Sequence, residues 1–127
     1  MATGHAEVAG LQAVQLLEEG DASILGALHK LDLQKVDLTA LPSAGRSLAL
    51  CTKLRHLDLG GNSRLGALPD VVAALPSLEV LFASNTGLTE VPSFLRSCSK
   101  LRMLGVKDNE ICSVDGENLP EHLSWLI

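Results

Sequence analysis

The sequence predicts an α/β repeat solenoid, in which short parallel strands stack on a concave face and helical or irregular segments return on the convex face. The main observation is a Leu-x-x-Leu-x-apolar phrase that begins at residues 28, 54, 78 and 101 and again at 123. A period of this length built on this phrase indicates a stack of strand-and-return units. The composition agrees, because a chain with one Trp, two Phe and no Tyr needs an aliphatic core.

Residues 1–27 precede the first repeat, and we predict that they form an N-terminal capping helix and a linker. Helical spacing over 6–19 relates Val8, Leu11, Val14 (or Gln15) and Leu17 (or Leu16), and Gly20 provides a stop signal. A cap is expected because each unit of a solenoid buries one face against the next. A helix that binds a partner is the alternative.

Residues 28–127 hold the repeats, each with an extended strand whose leucines should point into the core. The first three repeats close with Pro42, Pro69 and Pro92, whereas the fourth lacks this proline. Helical or irregular returns are expected at 43–53, 70–77, 93–100 and 116–122.

The ninth position of a repeat carries Asn62 or Asn109, and Thr86 keeps a hydroxyl there. An Asn amide can satisfy buried backbone groups at a turn, so we expect a structural role for these residues. Val36 offers no such group in the first repeat.

The phrase that restarts at residues 123–127 is not followed by a polar cap in this sequence. We therefore predict a stack with no C-terminal cap. Two hypotheses follow, namely that the chain is a piece of a longer protein or that the last strand is a contact edge. Self-association through its unpaired backbone groups is then possible.

Composition and charge exclude several classes of function. A net charge of −5 without a Lys/Arg cluster argues against binding to nucleic acid. No stretch reaches transmembrane length, and the acidic N-terminus does not resemble a targeting peptide, so we expect a cytoplasmic protein without a membrane partner. Cys51 and Cys98 hold the same position two repeats apart, too far for a disulfide, and should be buried thiols.

No constellation of catalytic or metal-binding residues emerges. The sequence has no Gly-x-Ser-x-Gly elbow and no Cys/His spacing typical of zinc. We therefore predict that the protein is not an enzyme and that it uses no cofactor or metal.

The Leu-x-x-Leu-x-Leu-x-x-Asn pattern over residues 28–127 resembles the leucine-rich repeat superfamily. Val-Leu-Phe-Ala-Ser-Asn at 80–85 and Leu-Pro-Glu-His-Leu-Ser-Trp-Leu-Ile at 119–127 resemble repeat segments of bacterial and algal leucine-rich-repeat protein kinases. In those proteins the repeats precede a serine/threonine kinase domain. No Gly-x-Gly-x-x-Gly, His-Arg-Asp or Asp-Phe-Gly motif occurs here, so the resemblance implies no catalytic residue in this sequence.

The third and fifth positions of each strand phrase should point out of the concave face. This predicted face changes character along the stack. Its first two strands are polar and its last three are apolar. The polar residues are Lys30, Asp32, His56 and Asp58, and the others are Val80, Phe82, Met103, Gly105, Trp125 and Ile127.

The apolar half is the candidate binding site, because adjacent apolar groups at exposed positions are unusual. Gly105 should leave a hollow beside Phe82 that accepts an apolar side chain of a protein or peptide partner. The alternative is that these residues pack on one another or under further repeats. In the polar half Asp32 lies beside Asp58 and could attract a cation, whereas the alternative is a solvated face neutralised by its own Lys and Arg.

The sequence therefore predicts a non-catalytic protein–protein interaction module, of the scaffold or signalling kind, that binds its partner on the concave face. The alternative is a regulatory segment at the N-terminus of a larger leucine-rich-repeat kinase.

Overall fold

A computed structural model describes residues 7–127, which build one parallel sheet of six strands arranged in chain order. The predicted α/β solenoid is confirmed. The strands are β1 (Glu7–Ala9), β2 (Lys30–Asp32), β3 (His56–Asp58), β4 (Val80–Phe82), β5 (Met103–Gly105) and β6 (Trp125–Leu126). Two helices lie before β2, namely α1 (Gly10–Glu19) and α2 (Ala22–Leu25). Short 3-10 turns form much of the returns, at Pro42–Gly45, Leu48–Leu50, Asp70–Ala74, Ser93–Ser97 and Gly116–Asn118.

The N-terminal segment differs from the predicted helix over 6–19. Residues 7–9 form strand β1, in which Val8 pairs in register with Leu31, and α1 begins only at Gly10. Gly10 has a φ of 64°, a conformation that favours glycine and separates the strand from the helix. The start of the predicted helix at residue 6 lies outside the described residues. The segment before the first repeat thus extends the sheet as well as covering it.

The predicted apolar stripe of α1 is wrong at Leu11, which is 76% exposed. The helix instead buries Ala13 and Leu17, so the face of α1 that packs on the core is the one opposite Leu11. The following helix α2 is capped by Asp21, whose carboxylate accepts hydrogen bonds from the backbone N–H groups of Ser23 and Ile24. These interactions fix the approach of the chain to β2.

The core consists of leucine columns that run through the stack. The middle residue of each strand aligns with the same residue of the next, and those of β2 to β5 are all fully buried. They are Leu31, Leu57, Leu81 and Leu104. Burying one such side chain stabilises the fold by about 1.5–3 kcal/mol, so the columns hold neighbouring repeats together.

The two cysteines predicted to be core thiols are buried and free. Burial raises the pKa of Cys51 to about 11, so its thiol stays protonated at neutral pH. Cys98 lies two repeats away, and burial raises its pKa as well. Both behave as small apolar side chains, which is common for free cysteine.

The turn that follows each strand places the eighth residue of the repeat in the left-handed conformation. Lys35, Asn85 and Asp108 have φ values of 54°, 52° and 59° there, and Gly61 occupies the same position with 75°. The Lys35 stem lies across Gly61, because a Cβ on that glycine would come within 2.6 Å of the lysine Cγ. Glycine therefore allows a close approach between these two repeats.

The ninth residue, Asn62, closes the first two turns from a position that is only 1% exposed. Its amide nitrogen donates to the carbonyls of Leu33 and Leu59 at 2.8 and 2.7 Å, and its oxygen accepts from Val36 and Leu38 at 3.2 and 3.0 Å. The amide of one repeat thus supplies partners for the backbone of the repeat before it, including Val36.

The same pattern recurs two repeats later. Asn109 donates to the carbonyls of Ala83 and Val106 and accepts from the N–H groups of Thr86 and Leu88. The Thr86 hydroxyl donates to the Ala83 carbonyl at 2.8 Å. These turn residues satisfy backbone groups that would otherwise be buried without partners.

Replacing Asn62 with Ala should lower the free energy of unfolding by about 3 kcal/mol or more, because several buried backbone groups lose their partners. Asn109→Ala removes the same four contacts at a half-buried site and should cost less, since water can replace part of them. Urea unfolding of both variants measures the difference. Equal losses would contradict a role for burial in this interaction.

Candidate functional site

Strand pairing places the outward-facing residues of the concave face in two rows. The third-position row runs through Glu7, Lys30, His56, Val80, Met103 and Trp125, and each of these pairs with the next. The fifth-position row runs through Ala9, Asp32, Asp58, Phe82 and Gly105. Ile127 extends the second row, since its backbone N–H donates to the Leu104 carbonyl at 2.9 Å.

The apolar patch is defined here as the five apolar side chains at the C-terminal end of the rows, namely Val80, Phe82, Met103, Trp125 and Ile127. Trp125 and Ile127 are 59% and 57% exposed. The other three are half-buried on the adjoining strands. Because neighbouring strands lie about 4.8 Å apart, the patch extends over about 10 Å of continuous sheet.

The hollow predicted at Gly105 is absent because the Phe82 ring lies over this glycine. A Cβ on Gly105 would stand 2.6 Å from Cδ1 of Phe82, and Gly105 itself is buried. The missing side chain therefore makes room for a neighbouring ring within the protein. The patch is an apolar floor, and the prediction of a pocket with one aromatic wall is wrong.

His56 forms the border between the apolar patch and the polar half. Its ring meets the Phe82 ring edge to face, with centroids 5.3 Å apart. Partial burial, followed by the positive charge of Lys30, lowers the pKa of His56 below its usual value. The imidazole is therefore largely uncharged at neutral pH and continues the weakly polar surface beside Phe82.

Asp32 and Asp58 each accept a hydrogen bond from the turn of their own repeat, and Asp58 also accepts one from the preceding repeat. The Asp58 carboxylate is 9% exposed and accepts from the Gly60 N–H at 2.9 Å and from the Gln34 side-chain amide at 2.6 Å. Asp32 accepts from the Gln34 backbone N–H at 2.9 Å. Burial is the largest cause of a raised pKa at Asp58, although these hydrogen bonds oppose it.

The polar half also contains a contact that the sequence did not indicate. Strand β1 places Glu7 next to Lys30, with a carboxylate–ammonium distance of 3.8 Å. The alternating Glu-Val-Ala before Gly10 was the available signal, although three residues are a short strand pattern. Within residues 7–127 no group of three His, Cys, Asp or Glu side chains is placed to hold a metal ion.

The leucine-rich repeat family model matches residues 53–75, and the fold has a close structural counterpart. A solved leucine-rich repeat protein of Leptospira interrogans superposes with a TM-score of 0.67 at 20% identity, over 91% of this chain and 33% of that one. The chain thus has a leucine-rich repeat fold with a matched repeat at residues 53–75, and stacks of this kind present an extended concave surface.

Two curated relatives are much longer proteins, of which this chain spans a small part. The chain is 34% identical to geranylgeranyl transferase type-2 subunit alpha of Sus scrofa over 91% of its own length, but it spans 22% of that protein. It is 38% identical to human vasorin over 80% of its length and spans 15% of that protein. In the described part of the chain no helix is both long and apolar enough to span a bilayer.

Asp58→Asn should gain stability relative to the wild type as the pH rises from 4 to 7. A raised folded-state pKa means that the fold binds the proton more tightly than the unfolded chain, so the ionised group destabilises the fold. The gain should shrink as the pH falls through the folded-state pKa toward the usual value of 3.8. Urea unfolding from pH 7 to 4 measures it, with exposed Asp70→Asn as the control. A gain independent of pH would contradict this explanation.

Gly105→Ala should lower the free energy of unfolding by about 1–3 kcal/mol, because the added Cβ displaces the Phe82 ring. In a Phe82→Ala background the same change should cost much less, which a double-mutant cycle detects. Gly116→Ala is the matched control, since a Cβ there meets open space. Equal costs of Gly105→Ala in both backgrounds would show that the ring does not cover this glycine.

Proposed function

We propose that this protein is a non-catalytic interaction module that binds a protein or peptide partner on its concave face, with the apolar patch as the contact. The observation that carries the proposal is the exposure of Trp125 and Ile127 beside the half-buried Phe82 and Met103 on one continuous sheet surface. Contiguous exposed apolar surface marks interaction sites in soluble proteins.

The residue types in the apolar patch suit such a contact. Trp, Phe and Met are enriched in interfaces, and a few large side chains usually supply most of the binding energy. Phe82 is held between His56 and Gly105, so it loses little conformational freedom when a partner arrives. Trp125 at 59% exposure has the most surface to bury.

A catalytic role has less support in the geometry of the face. The His56 ring faces Phe82, and both oxygens of Asp58 accept hydrogen bonds from the protein itself. This arrangement stabilises a surface and activates no nucleophile. We extend the proposal to a cytoplasmic module, because the buried free thiols of Cys51 and Cys98 agree with a reducing compartment.

The alternative is a regulatory segment of a larger leucine-rich-repeat kinase. Its support is the resemblance of the phrase at 119–127 to repeat segments of those kinases. The phrase also has a role within the repeat, since Pro120 is buried and residues 125–126 form β6. Reading the coding DNA past Ile127 tests this alternative, and a kinase domain in frame would support it.

Self-association through β6 is a further form that the interaction could take. The strand is exposed on both residues, and an uncovered strand edge can pair with a second chain. Sedimentation at high concentration distinguishes this form from binding to another protein. A monomer at all concentrations would exclude it.

Replacing both Phe82 and Trp125 with Ala should weaken partner binding at least tenfold, because the patch loses its two aromatic anchors. Proteins retained by the immobilised wild-type chain can be identified by mass spectrometry, and their affinities for each variant measured by calorimetry. Leu11→Ala is the control, since Leu11 is 76% exposed on α1, away from the concave face. Unchanged affinity of a folded double variant, verified by its thermal unfolding, would overturn the proposal.

A further inference from the structure

A group of cations borders the apolar patch at the amino-terminal ends of the strands. The basic rim is defined here as the exposed residues Lys53, Arg55, Lys100 and Arg102. They hold equivalent positions in two repeats, since each lysine directly precedes and each arginine directly follows the first leucine of its repeat, at 54 or at 101. Because four of the ten Lys and Arg residues lie here, the rim is positive on a protein of net charge −5.

Backbone hydrogen bonds place each arginine of the rim directly beside the patch. The Arg102 carbonyl accepts from the N–H groups of Ser124 and Trp125 at 2.7 and 3.0 Å. Arg102 also precedes Met103, so it lies at the edge of two patch residues. The Arg55 carbonyl accepts from the N–H of Val80 at 2.9 Å, which brings the second arginine to the same edge.

Two of these cations share a shallow cavity of about 280 Å³ with Glu79, Ser99 and His122. They are Lys100 and Arg102, and Glu79 is the one carboxylate among the lining residues. Glu79 lies 3.9 Å from Arg55, and both side chains are well exposed, so this pair contributes little. Within residues 7–127 neither Lys100 nor Arg102 forms an ion pair within 4.0 Å.

We propose that the partner is an extended acidic peptide segment, with apolar side chains on Met103 and Trp125 and a carboxylate at Lys100 and Arg102. This inference rests on the proposed function and specifies the chemistry of its ligand. An arginine binds a carboxylate through two parallel hydrogen bonds, which gives orientation as well as affinity. Arg102 immediately precedes Met103, the first residue of β5, and its carbonyl accepts from the Trp125 N–H, so one short segment reaches both the rim and the apolar patch.

The charge of the polar half of the concave face determines where an acidic ligand can bind. Glu7, Asp32 and Asp58 outnumber Lys30, so the polar half is negative and would repel a carboxylate placed there. An acidic segment is therefore directed to the rim and the apolar patch together. A bilayer with anionic lipids is disfavoured, because the net charge of the protein is negative.

Selection from a random library of peptides displayed on phage tests the inference without a known partner. The wild-type chain should enrich peptides with Asp or Glu next to apolar residues. The variant with Lys100→Glu and Arg102→Glu should retain the apolar enrichment and change the charged preference to Lys or Arg. A peptide selected on the wild type should bind this variant at least tenfold more weakly.

The matched control carries Arg46→Glu and Arg64→Glu, which change the net charge equally at exposed residues outside the rim and the apolar patch. Arg64 pairs with Asp37, but both side chains are well exposed and this pair contributes little to stability. It should select the same peptides as the wild type. Apolar enrichment with no acidic preference, or an acidic preference that survives charge reversal at the rim, overturns this inference and leaves the proposed function standing. Selected peptides that bind the variant with Phe82→Ala and Trp125→Ala as tightly as the wild type overturn the proposed function itself.

Cosedimentation with vesicles of phosphatidylserine and phosphatidylcholine tests whether the ligand of the basic rim is an acidic peptide or a lipid surface. Wild-type chain that cosediments with these vesicles, and loses that binding when Lys100 and Arg102 are changed to Glu, would assign the rim to membranes and overturn the peptide inference. We expect no cosedimentation of either chain.

Discussion

Residue-by-residue pairing of the six parallel strands is the constraint on which the rest of this structure depends. It aligns Leu57 with Leu81 and Leu81 with Leu104, so that one buried column passes through the stack. A shift of one residue in any strand would turn these leucines to the surface and bury the outward-facing residues. The same pairing arranges the concave face as rows, and only through it do Met103 and Trp125 become neighbours.

The concave face combines three kinds of surface that have different physical origins. The polar half is engaged internally, because Asp58 and Gln34 stabilise the turns between the first repeats. The apolar patch has few internal polar partners and exposes Trp125. The basic rim lies where the strands begin, and its charged side chains are exposed and take no part in the core. Burial therefore leaves the last two surfaces available to a partner.

Much of the fold could be predicted from the sequence because a repeated phrase reports the same environment several times. The leucine columns, the buried Cys51 and Cys98, and the ordering of the strands follow from the period alone. Strand β1 could not be predicted in this way, since Glu7–Ala9 occurs once and has no repeat to support it. Its pairing with β2 depends on Gly10, which turns the chain into α1.

The site was less predictable because side-chain orientation depends on the neighbouring repeat. Phe82 and Gly105 stand at outward positions, and the pattern correctly places them next to each other in space. The pattern does not report that the ring lies across the glycine and fills the expected hollow. Asp58 is similar, since its burial follows from the contact with Gln34 of another repeat.

The contact between Lys35 and Gly61 has a consequence for the order of the repeats. In both this pair and the pair of Phe82 and Gly105, a side chain leans over a glycine of the repeat that follows it. Each of these repeats is therefore shaped for one particular successor. Duplicating the repeat that begins at 28 or the one that begins at 78 would place a Cβ under the lysine stem or the aromatic ring. Although the units share one phrase, they form a directional series, and new members would have to be inserted at junctions without such a pair.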